Sequence, residues 1–285
     1  MKQCEFLILG GDRRMAYTAA YLAKWGHSVG AYANSYAEDV PEAEYMESLT
    51  VAMDCCDNII MGIPFTRDGI TMFAPFCHKV IGIDEILDLT KPRHSFAVGN
   101  PGTFLTSAVK RGAKCTDYGR REDFALYNAV PTAEGILALL IGNLPVTIWD
   151  SSILILGFGR IGKALASMLT KLGAKVTASA RKNTDFAMMD IAGVKAINTG
   201  HYGELDRFDA VVNTIPSVTA DEGFYVQLED GCVVIDASSA PGYMDRECAQ
   251  KHGVTLIDAF GLPGKTAPAT SGKIIAKTVT DIFRQ

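Results

Sequence analysis

The residues best suited to chemistry form the run Gly157-Phe158-Gly159-Arg160-Ile161-Gly162 in the middle of the chain. The apolar run Ile153–Leu156 precedes it, and a stretch with apolar residues at helical spacing follows it. In a turn of this kind the first glycine allows a tight bend, the second lets the backbone approach a pyrophosphate, and the third lets the helix pack against the strand. The N–H groups at the start of the helix then face the phosphates. The pattern therefore predicts a dinucleotide site at these six residues.

The end of the next predicted strand, Lys175–Ala180, indicates which dinucleotide binds. A site that prefers NAD usually carries Asp or Glu about 20 residues after the first glycine, where the carboxylate binds the ribose hydroxyls. This chain has Ser179, Arg181 and Lys182 in that region instead. A hydroxyl, a guanidinium and an ammonium bind a 2′-phosphate, which a carboxylate would repel. We therefore predict NADP as the cofactor, with these three residues around its 2′-phosphate.

A third segment, Thr214-Ile215-Pro216, lies where the fourth predicted strand of the same half of the chain ends. In a nucleotide-binding fold of this kind, the chain passes the nicotinamide ribose at that point. We therefore assign Thr214, Ile215 and Pro216 to cofactor binding. Asn213, just before them, has the alternative of a buried polar residue with backbone partners.

The composition is that of an ordinary globular protein and argues against several other classes. With 285 residues, 48% hydrophobic and 21% charged, the chain is long enough for two modest domains. The net charge of −5, without a basic stripe, argues against nucleic acid as a partner. The seven cysteines form no CxxC pair and no Cys/His ligand spacing, which indicates reduced thiols and no metal site. We also expect no membrane span, which needs about 20 apolar residues, and a cytoplasmic location.

Strand-like runs recur along the chain, and most of them are separated by amphipathic helical stretches. They are Phe6–Gly10, Ser28–Ala33, Asn58–Ile63, Lys79–Ile83, Ser95–Val98, Lys114–Tyr118, Ile153–Leu156, Lys175–Ala180, Lys195–Asn198, Ala210–Ile215, Cys232–Asp236 and Val254–Ala259. Alternating strands and helices indicate parallel sheets with helices on both faces. The predicted fold class is therefore α/β, with two doubly wound Rossmann-like domains, parallel sheets and a cleft between them.

The two halves of the chain share a plan and predict two domains. Residues 1–130 form the N-terminal Rossmann-like domain, completed by a C-terminal helix at 271–285, and residues 131–270 form the dinucleotide-binding domain. The first glycine turn, Gly10-Gly11-Asp12-Arg13, lacks the spacing for a pyrophosphate and offers an arginine instead. We therefore expect the N-terminal domain to bind the substrate, with the active site in the cleft between the domains.

Several strings around the glycine motif resemble one known family. They are Tyr127–Gly135, Asn213–Ser217, Asp236–Gly242 and Gly261–Pro268, together with Gly10–Arg13 near the start. In this order they are similar to the A subunit of bacterial dipicolinate synthase, over nearly the whole chain. The resemblance implies an NADP-dependent oxidoreductase that oxidises dihydrodipicolinate, formed from 4-hydroxytetrahydrodipicolinate, to pyridine-2,6-dicarboxylate. It also implies a partner, a flavoprotein-like B subunit, and the mother cell of a sporulating bacterium as location.

The dicarboxylate that the resemblance implies requires cationic or N–H partners, for which arginine is well suited. We assign Arg13 to one carboxylate and Lys265 to the other carboxylate or to the nicotinamide side. Each residue has a plainer alternative, because Arg13 could cap or solvate a loop and Lys265 could be a surface charge.

Further polar residues are predicted to complete the catalytic site. Glu134 is the nearest acid if a hydroxylated substrate must lose water. Thr132 has the alternative of the N-cap of a helix that starts near Pro131. Four residues are assigned to hydrogen bonds that orient the substrate: Asn128, Thr132, Ser238 and Ser239.

Two other functions stay open at this point. D-2-hydroxyacid dehydrogenases share the two-domain plan but need an imidazole near the last strand of the nucleotide domain, and the five histidines, at 27, 78, 94, 201 and 252, fall elsewhere. A non-catalytic NADP-binding subunit that acts through a partner is the second alternative, because no strong general base is evident. The sequence leaves the oligomeric state open, a homo-oligomer included.

Overall fold

The computed structural model describes residues 3–37, 40, 43–217, 220–239 and 242–284. The chain divides into two compact units. Unit 1 consists of Met1–Asn128 and Ala267–Gln285, and unit 2 consists of Ala129–Thr266. Of the sequence strings quoted above, Ala240 and Pro241 lie outside the described residues.

Both units consist of short strands that alternate with helices. The strands are β1 (Phe6–Leu9), β2 (Val29–Tyr32), β3 (Ala43–Tyr45), β4 (Asn58–Met61), β5 (Ser95–Val98), β6 (Lys114–Asp117), β7 (Ser152–Leu156), β8 (Lys175–Ala180), β9 (Lys195–Asn198), β10 (Ala210–Asn213), β11 (Val233–Asp236) and β12 (Thr255–Asp258). The helices are α1 (Arg13–Lys24), α2 (Leu49–Cys55), α3 (Ile83–Asp88), α4 (Thr103–Lys110), α5 (Glu122–Asn143), α6 (Arg160–Lys171), α7 (Asn183–Ile191), α8 (Glu222–Val226), α9 (Arg246–Lys251), α10 (Leu262–Thr266) and α11 (Pro268–Phe283).

Each unit has one six-stranded parallel sheet, and the two sheets have the same strand order. In unit 1 the order is β3-β2-β1-β4-β5-β6, and in unit 2, read from the opposite edge, it is β9-β8-β7-β10-β11-β12. The order reverses between β1 and β4 and between β7 and β10, which are the topological switch points where ligands of such sheets bind. The prediction of an α/β fold with two doubly wound parallel sheets is confirmed.

The strands read as continuous apolar runs because both faces of each sheet are covered. In β7, Ile153 and Ile155 pack with Leu165 and Leu169 of α6 on one face of the sheet. Leu154 and Leu156 belong to a second core cluster on the opposite face. This alternation of side chains is what buries a parallel strand on both sides.

Two local predictions were wrong in unit 1. Lys79–Ile83, predicted as a strand, is a loop with a single bridge between Thr71 and Gly82. Its last residue already starts α3, because Glu85 accepts a hydrogen bond from the N–H of Gly82 at 3.0 Å and so begins the helix there. The edge strand β3 was missed because it has three residues, two of them exposed.

The helix predicted to start near Pro131 begins nine residues earlier, at Glu122, and contains Pro131 in its interior. Thr132 is therefore not an N-cap. The helix continues past the proline because Ala133, Ile136 and Leu140 after it are buried in the core of unit 2. α5 is also long and apolar enough to cross a membrane, by length and composition alone, whereas no such helix was predicted from the sequence. Core helices of soluble proteins share these properties.

Candidate functional site

The turn after β7 packs closely against the loop after β10. Gly157 has a φ of +97°, a conformation that side chains with a Cβ rarely adopt. A Cβ at this position would lie 2.7 Å from Ile215 Cγ1 and 2.8 Å from Thr214 Oγ1. Thr214 in turn donates a hydrogen bond to the carbonyl of Leu156 at 2.9 Å. The structure therefore brings the predicted glycine turn and the predicted Thr214–Pro216 segment together at the switch point.

The other two glycines of the motif differ in what surrounds them. A Cβ on Gly159 would meet no atom within 4 Å, whereas one on Gly162 would overlap the carbonyl oxygen of Gly157. Gly159 is also the N-cap of α6 and offers no side chain to its first N–H groups. The space beside Gly159 and the N-terminus of α6 are what a pyrophosphate requires, and Gly162 allows the close packing of helix on turn.

Of the three other residues of the motif, Phe158 precedes α6, and Arg160 and Ile161 begin it. Phe158 is buried, and the ammonium of Lys163 lies 5.5 Å from its ring centroid. Arg160 is exposed at the first position of α6, and Ile161, next to it, packs against the core of unit 2. The motif thus holds both buried and solvent-facing side chains within a few residues.

Ser179 lies against the glycine turn and not at the protein surface. It is fully buried, and its hydroxyl oxygen accepts hydrogen bonds from Gly157 N–H at 3.0 Å and from Thr199 Oγ1 at 3.1 Å. From the sequence, this hydroxyl was predicted to bind a 2′-phosphate. In the structure it connects the turn to the end of β8 and to Thr199 instead, because the polar atoms of a buried turn require partners.

A pocket of about 600 Å³ lies in unit 2 at the ends of β8, β9 and β10. Its lining includes Arg181, Thr199, Ile215, Asp221 and Asp245. The two carboxylates already cap helices, since Asp221 accepts a hydrogen bond from the N–H of Phe224 at 3.1 Å and Asp245 accepts one from the N–H of Cys248 at 3.0 Å. The pocket therefore combines a guanidinium with two acids that are engaged in helix caps.

Arg181 and Lys182 are the exposed cations at this end of β8. Within residues 3–37, 40, 43–217, 220–239 and 242–284, neither has a carboxylate within ion-pair distance. Lys182 is also the N-cap of α7 and provides no side-chain cap there. Two unpaired cations beside a helix N-terminus favour an anionic group at this position.

A buried pair that the sequence analysis did not identify supports the neighbouring loop. Asn213 ends β10 and Asp236 ends β11, and both are fully buried. Asn213 Nδ2 donates to Asp236 Oδ1 at 3.0 Å, while Asn213 Oδ1 accepts from the N–H of Ile215 at 3.0 Å. The pair thus fixes the start of the Thr214–Pro216 loop. The signal in the sequence was an Asp that ends an apolar strand, but Asp is also common in turns.

Asp236 is held as a carboxylate by its hydrogen bonds. It accepts from Ser238 Oγ at 2.6 Å, from Tyr243 N–H at 2.7 Å and from Met244 N–H at 2.9 Å. Burial acts to raise the pKa of Asp236, but these hydrogen bonds outweigh it and lower the pKa below its ordinary value. Ser238 is therefore buried with its O–H directed to Asp236, and Ser239 beside it is exposed.

The remaining candidates in unit 2 lie on or beside α5. Thr132 is buried in the middle of α5, and Glu134 is exposed on the same helix. Lys265, predicted in a loop, is exposed on the short helix α10. α10 packs on α5 at Gly135, where a Cβ would lie 2.9 Å from Leu262 Cβ. The structure thus places Lys265 on an element that rests against the turn of α5 next to Glu134.

The candidates in unit 1 are Arg13 and Asn128. Arg13 is the exposed first residue of α1, where it donates a hydrogen bond to Tyr36 Oη at 2.8 Å, and Asn128 is half-buried in α5. The neighbouring Arg14 is buried and pairs with Asp12, with Nη2 and Oδ2 2.8 Å apart. Arg14 therefore neutralises Asp12 and leaves Arg13 as the accessible guanidinium of this turn.

Two of the five histidines, His94 and His27, have hydrogen-bond or ion-pair partners in unit 1. His94 is buried in unit 1 between the N–H of Lys91 at 3.1 Å and the carbonyl of Met53 at 3.0 Å, and burial lowers its pKa. His27 lies 2.8 Å from Glu5 beside β1. His94 lies just before the amino end of β5 and His27 just before that of β2, whereas the switch points lie at the carboxyl ends of strands, so neither ring serves as an acid or base there.

The fold and the site define the class of the protein as a Rossmann-type, dehydrogenase-like α/β protein with a nucleotide-type turn in unit 2. Residues 5–118 match the family described as the N-terminal domain of the A subunit of dipicolinate synthase. The A subunit of dipicolinate synthase from Bacillus subtilis is 29% identical over 232 residues, which cover 80% of this chain and 78% of that protein. These similarities confirm the resemblance predicted from the sequence.

Solved structures agree with this placement. The crystal structure of the A subunit of dipicolinate synthase from Bacillus halodurans is 26% identical, with a TM-score of 0.88, and the match covers 100% of this chain and 99% of that chain. The apo-structure of D-lactate dehydrogenase from Escherichia coli is 12% identical, with a TM-score of 0.59, and covers 98% of this chain and 96% of that chain. The second likeness concerns the fold alone.

Proposed function

We propose that the chain acts as the A subunit of a dipicolinate synthase and oxidises dihydrodipicolinate, formed from 4-hydroxytetrahydrodipicolinate, with NADP as hydride acceptor. The similarity to A subunits of dipicolinate synthase supports pyridine-2,6-dicarboxylate as the product. One structural observation supports NADP as the cofactor. That observation is the pocket at the ends of β8 to β10, which Arg181 lines without a carboxylate partner among the described residues.

The residues of unit 2 fit a dinucleotide. The open space beside Gly159 admits a pyrophosphate, and α6 presents its N-terminus to it. Arg181 and Lys182 supply the positive charge for a 2′-phosphate, and Thr214 to Pro216 line the approach to the nicotinamide ribose. Ser179 stabilises the glycine turn by accepting a hydrogen bond from the N–H of Gly157. When bound, NADP accepts a hydride from the substrate, and the chain contributes binding and orientation.

Little acid or base strength is needed for this reaction. Formation of an aromatic ring drives the step, so positioning contributes most of the rate. We assign orientation of the substrate to Asn128, Thr132, Ser238 and Ser239, with Ser238 itself fixed by Asp236. Glu134 is the candidate acid if water must leave, and its exposed carboxylate exchanges protons with solvent. Lys265 is assigned to the nicotinamide side.

The relatives are named as A subunits, which supports a partner subunit for this chain. We propose a flavoprotein-like B subunit in that role and the mother cell of a sporulating bacterium as the location. The alternative is that the chain binds NADP but is not catalytic and acts through this partner. The experiment must distinguish this alternative from the oxidoreductase.

The direct test is NADPH formation, followed by absorbance, on mixing the purified chain with NADP and freshly prepared 4-hydroxytetrahydrodipicolinate. The assay is run with and without a candidate B subunit, and with NAD in place of NADP. We expect NADPH together with pyridine-2,6-dicarboxylate. Binding of NADP without turnover in either mixture would instead support the non-catalytic alternative.

The cofactor assignment is tested by Arg181→Ala. Loss of a charge-assisted contact to the 2′-phosphate should weaken NADP binding about 10- to 100-fold and leave NAD binding nearly unchanged. The matched control is Arg207→Ala, an exposed arginine of unit 2 that pairs with Glu229 outside this pocket. Equal losses for the two cofactors in Arg181→Ala would contradict the assignment.

A further inference from the structure

Unit 1 has a switch point of its own, between β1 and β4. Leu9 at the end of β1 pairs in register with Met61 at the end of β4. Ligands of doubly wound sheets bind outside the carboxyl ends of the strands at this point. Arg13 follows β1 and Arg67 follows β4. An arginine therefore follows the strand on each side of the switch point: Arg13 begins α1 after the turn at the end of β1, and Arg67 lies in the loop after β4.

The turn after β1 and the loop after β4 contact each other directly. The N–H of Gly11, in the turn after β1, donates to the carbonyl of Phe73 at 2.9 Å. The N–H of Phe73 donates to the carbonyl of Phe65 at 2.7 Å, so the loop after β4 folds back over the turn. Arg67 lies within this folded loop, which places it on the same edge of the sheet as Arg13.

Both guanidiniums stack on aromatic rings. Arg67 Cζ lies 3.9 Å from the ring centroid of Phe73, and Arg13 Cζ lies 4.8 Å from that of Tyr36. The Tyr36 ring in turn contacts Phe76 of the loop, with centroids 4.3 Å apart. Stacking orients a guanidinium through its face and leaves the N–H donors in its plane available for a carboxylate. Arg13 uses one of these donors for Tyr36 Oη.

The acids near these arginines are already engaged. Asp12 pairs with Arg14. Asp68, next to Arg67, accepts hydrogen bonds from Thr71 Oγ1 at 2.6 Å and from the N–H of Ile70 at 2.8 Å. In the part of the chain that the structure describes, neither Arg13 nor Arg67 forms an ion pair. The edge thus carries two exposed guanidiniums that form no ion pair with a carboxylate among the described residues.

We propose that Arg13 and Arg67 form a dianion site in unit 1 that binds the two carboxylates of a planar pyridine dicarboxylate, one guanidinium to each. The aromatic rings beneath the guanidiniums hold them in place and supply apolar surface around the ligand. The identity of this ligand rests on the proposed function. Arg67 replaces Lys265 as the residue that binds the second carboxylate.

The test is calorimetric titration of the full chain with pyridine-2,6-dicarboxylate and, separately, with pyridine-2-carboxylate. We expect the dicarboxylate to bind more tightly. Arg13→Ala and Arg67→Ala should each weaken dicarboxylate binding about 10- to 100-fold, and Arg67→Lys should restore part of the loss. Arg111→Ala, an exposed arginine at the end of α4, is the control and should leave binding unchanged.

The outcomes separate this site from the proposed function. Unchanged dicarboxylate binding in Arg67→Ala overturns the site, and so does a chain that binds NADP but no dicarboxylate. Arg67-dependent binding of the dicarboxylate in a chain that never reduces NADP supports the site and contradicts the oxidoreductase proposal. Because both arginines are exposed, thermal unfolding should show all four variants folded.

Discussion

The two units use the same strand order but fill the first turn of the sheet differently. In unit 2 the turn after β7 leaves open space beside Gly159. In unit 1 the turn after β1 is closed by methionine side chains: a Cβ on Gly10 would lie 2.7 Å from Met72 Cε, and one on Gly11 would overlap Met15 Cγ. A polarizable, apolar side chain fills irregular gaps of this kind. The turn of unit 2 therefore has open space beside its second glycine, whereas methionine side chains occupy the space beside the turn of unit 1.

The loop on the other side of each switch point follows the same contrast. After β10, Thr214 and Ile215 pack onto the glycine turn and are held by the buried Asn213 and Asp236. After β4, a long loop reaches back over its turn and presents Arg67 to solvent. Topology therefore provides the same two loops at both switch points, whereas the side chains of these loops differ in the groups that they offer to a ligand.

The largest effect is expected from Gly162→Ala. A Cβ there overlaps the carbonyl oxygen of Gly157, which is backbone, so the turn and α6 must separate. We expect the free energy of unfolding to fall by about 3 kcal/mol, measured by urea denaturation. Gly142→Ala in α5, where a Cβ meets no atom within 4 Å, is the control and should be neutral or stabilising by up to about 1 kcal/mol. An unchanged unfolding midpoint in Gly162→Ala would mean that this close packing is unimportant.

Gly159→Ala should affect binding without affecting the fold. The φ of Gly159 is −79°, which alanine adopts freely, and the added methyl group meets no protein atom within 4 Å. It enters the space where the pyrophosphate would approach, so we expect NADP and NAD to bind about 100-fold more weakly. Fluorescence titration with each cofactor measures this. Unchanged affinity together with unchanged stability would show that the dinucleotide does not lie against Gly159.

A feature could be predicted from the sequence when the residues that mark it lie within one short segment. β7 and β8 were predicted within one residue, because apolar runs buried on both faces carry a clear local pattern. The glycine turn was predicted because its three glycines have a fixed spacing directly after an apolar run. Arg181, just after the neighbouring strand β8, could be placed by counting residues from Gly157.

What the sequence did not reveal depends on contacts between distant segments. Arg67 lies in a long loop with no periodic pattern, and its position depends on the hydrogen bond between Gly11 and Phe73. Asp236 was predicted as the last residue of a strand, and only its pairing with Asn213 on the neighbouring strand marks it as a buried anchor. Ser179 was assigned to a ligand because its hydroxyl is polar, but the buried turn already requires it.

Asp236→Asn tests the buried pair that supports the loop after β10. The carboxylate accepts from Ser238 with one oxygen and from the Tyr243 and Met244 N–H groups with the other. An amide has a single accepting oxygen, so it loses one of these two sets of hydrogen bonds. We therefore expect a loss of about 2 kcal/mol of stability near neutral pH. Because folding lowers the pKa of Asp236, its stabilisation is fully present above the pKa of the unfolded chain and is lost as the pH falls through the lower folded-state value.

The free energy difference between the wild-type chain and Asp236→Asn should therefore shrink in acid, below the ordinary aspartate pKa. Urea denaturation across this pH range measures it. A difference that stays constant from neutral pH into acid would show that Asp236 does not stabilise the loop as a carboxylate.

The smallest effect, and the one that distinguishes support from direct contact, is expected from Ser179→Ala. The variant removes the acceptor of the Gly157 N–H and of Thr199 Oγ1, so we expect a loss of about 1 kcal/mol of stability. Because the turn serves the part of the dinucleotide that NADP and NAD share, both should bind a few-fold more weakly and by the same factor. Arg181→Ala, by contrast, should discriminate between them. If Ser179→Ala weakened NADP alone, the hydroxyl would have to leave the turn and reach the 2′-phosphate, and its support of Gly157 would break on cofactor binding.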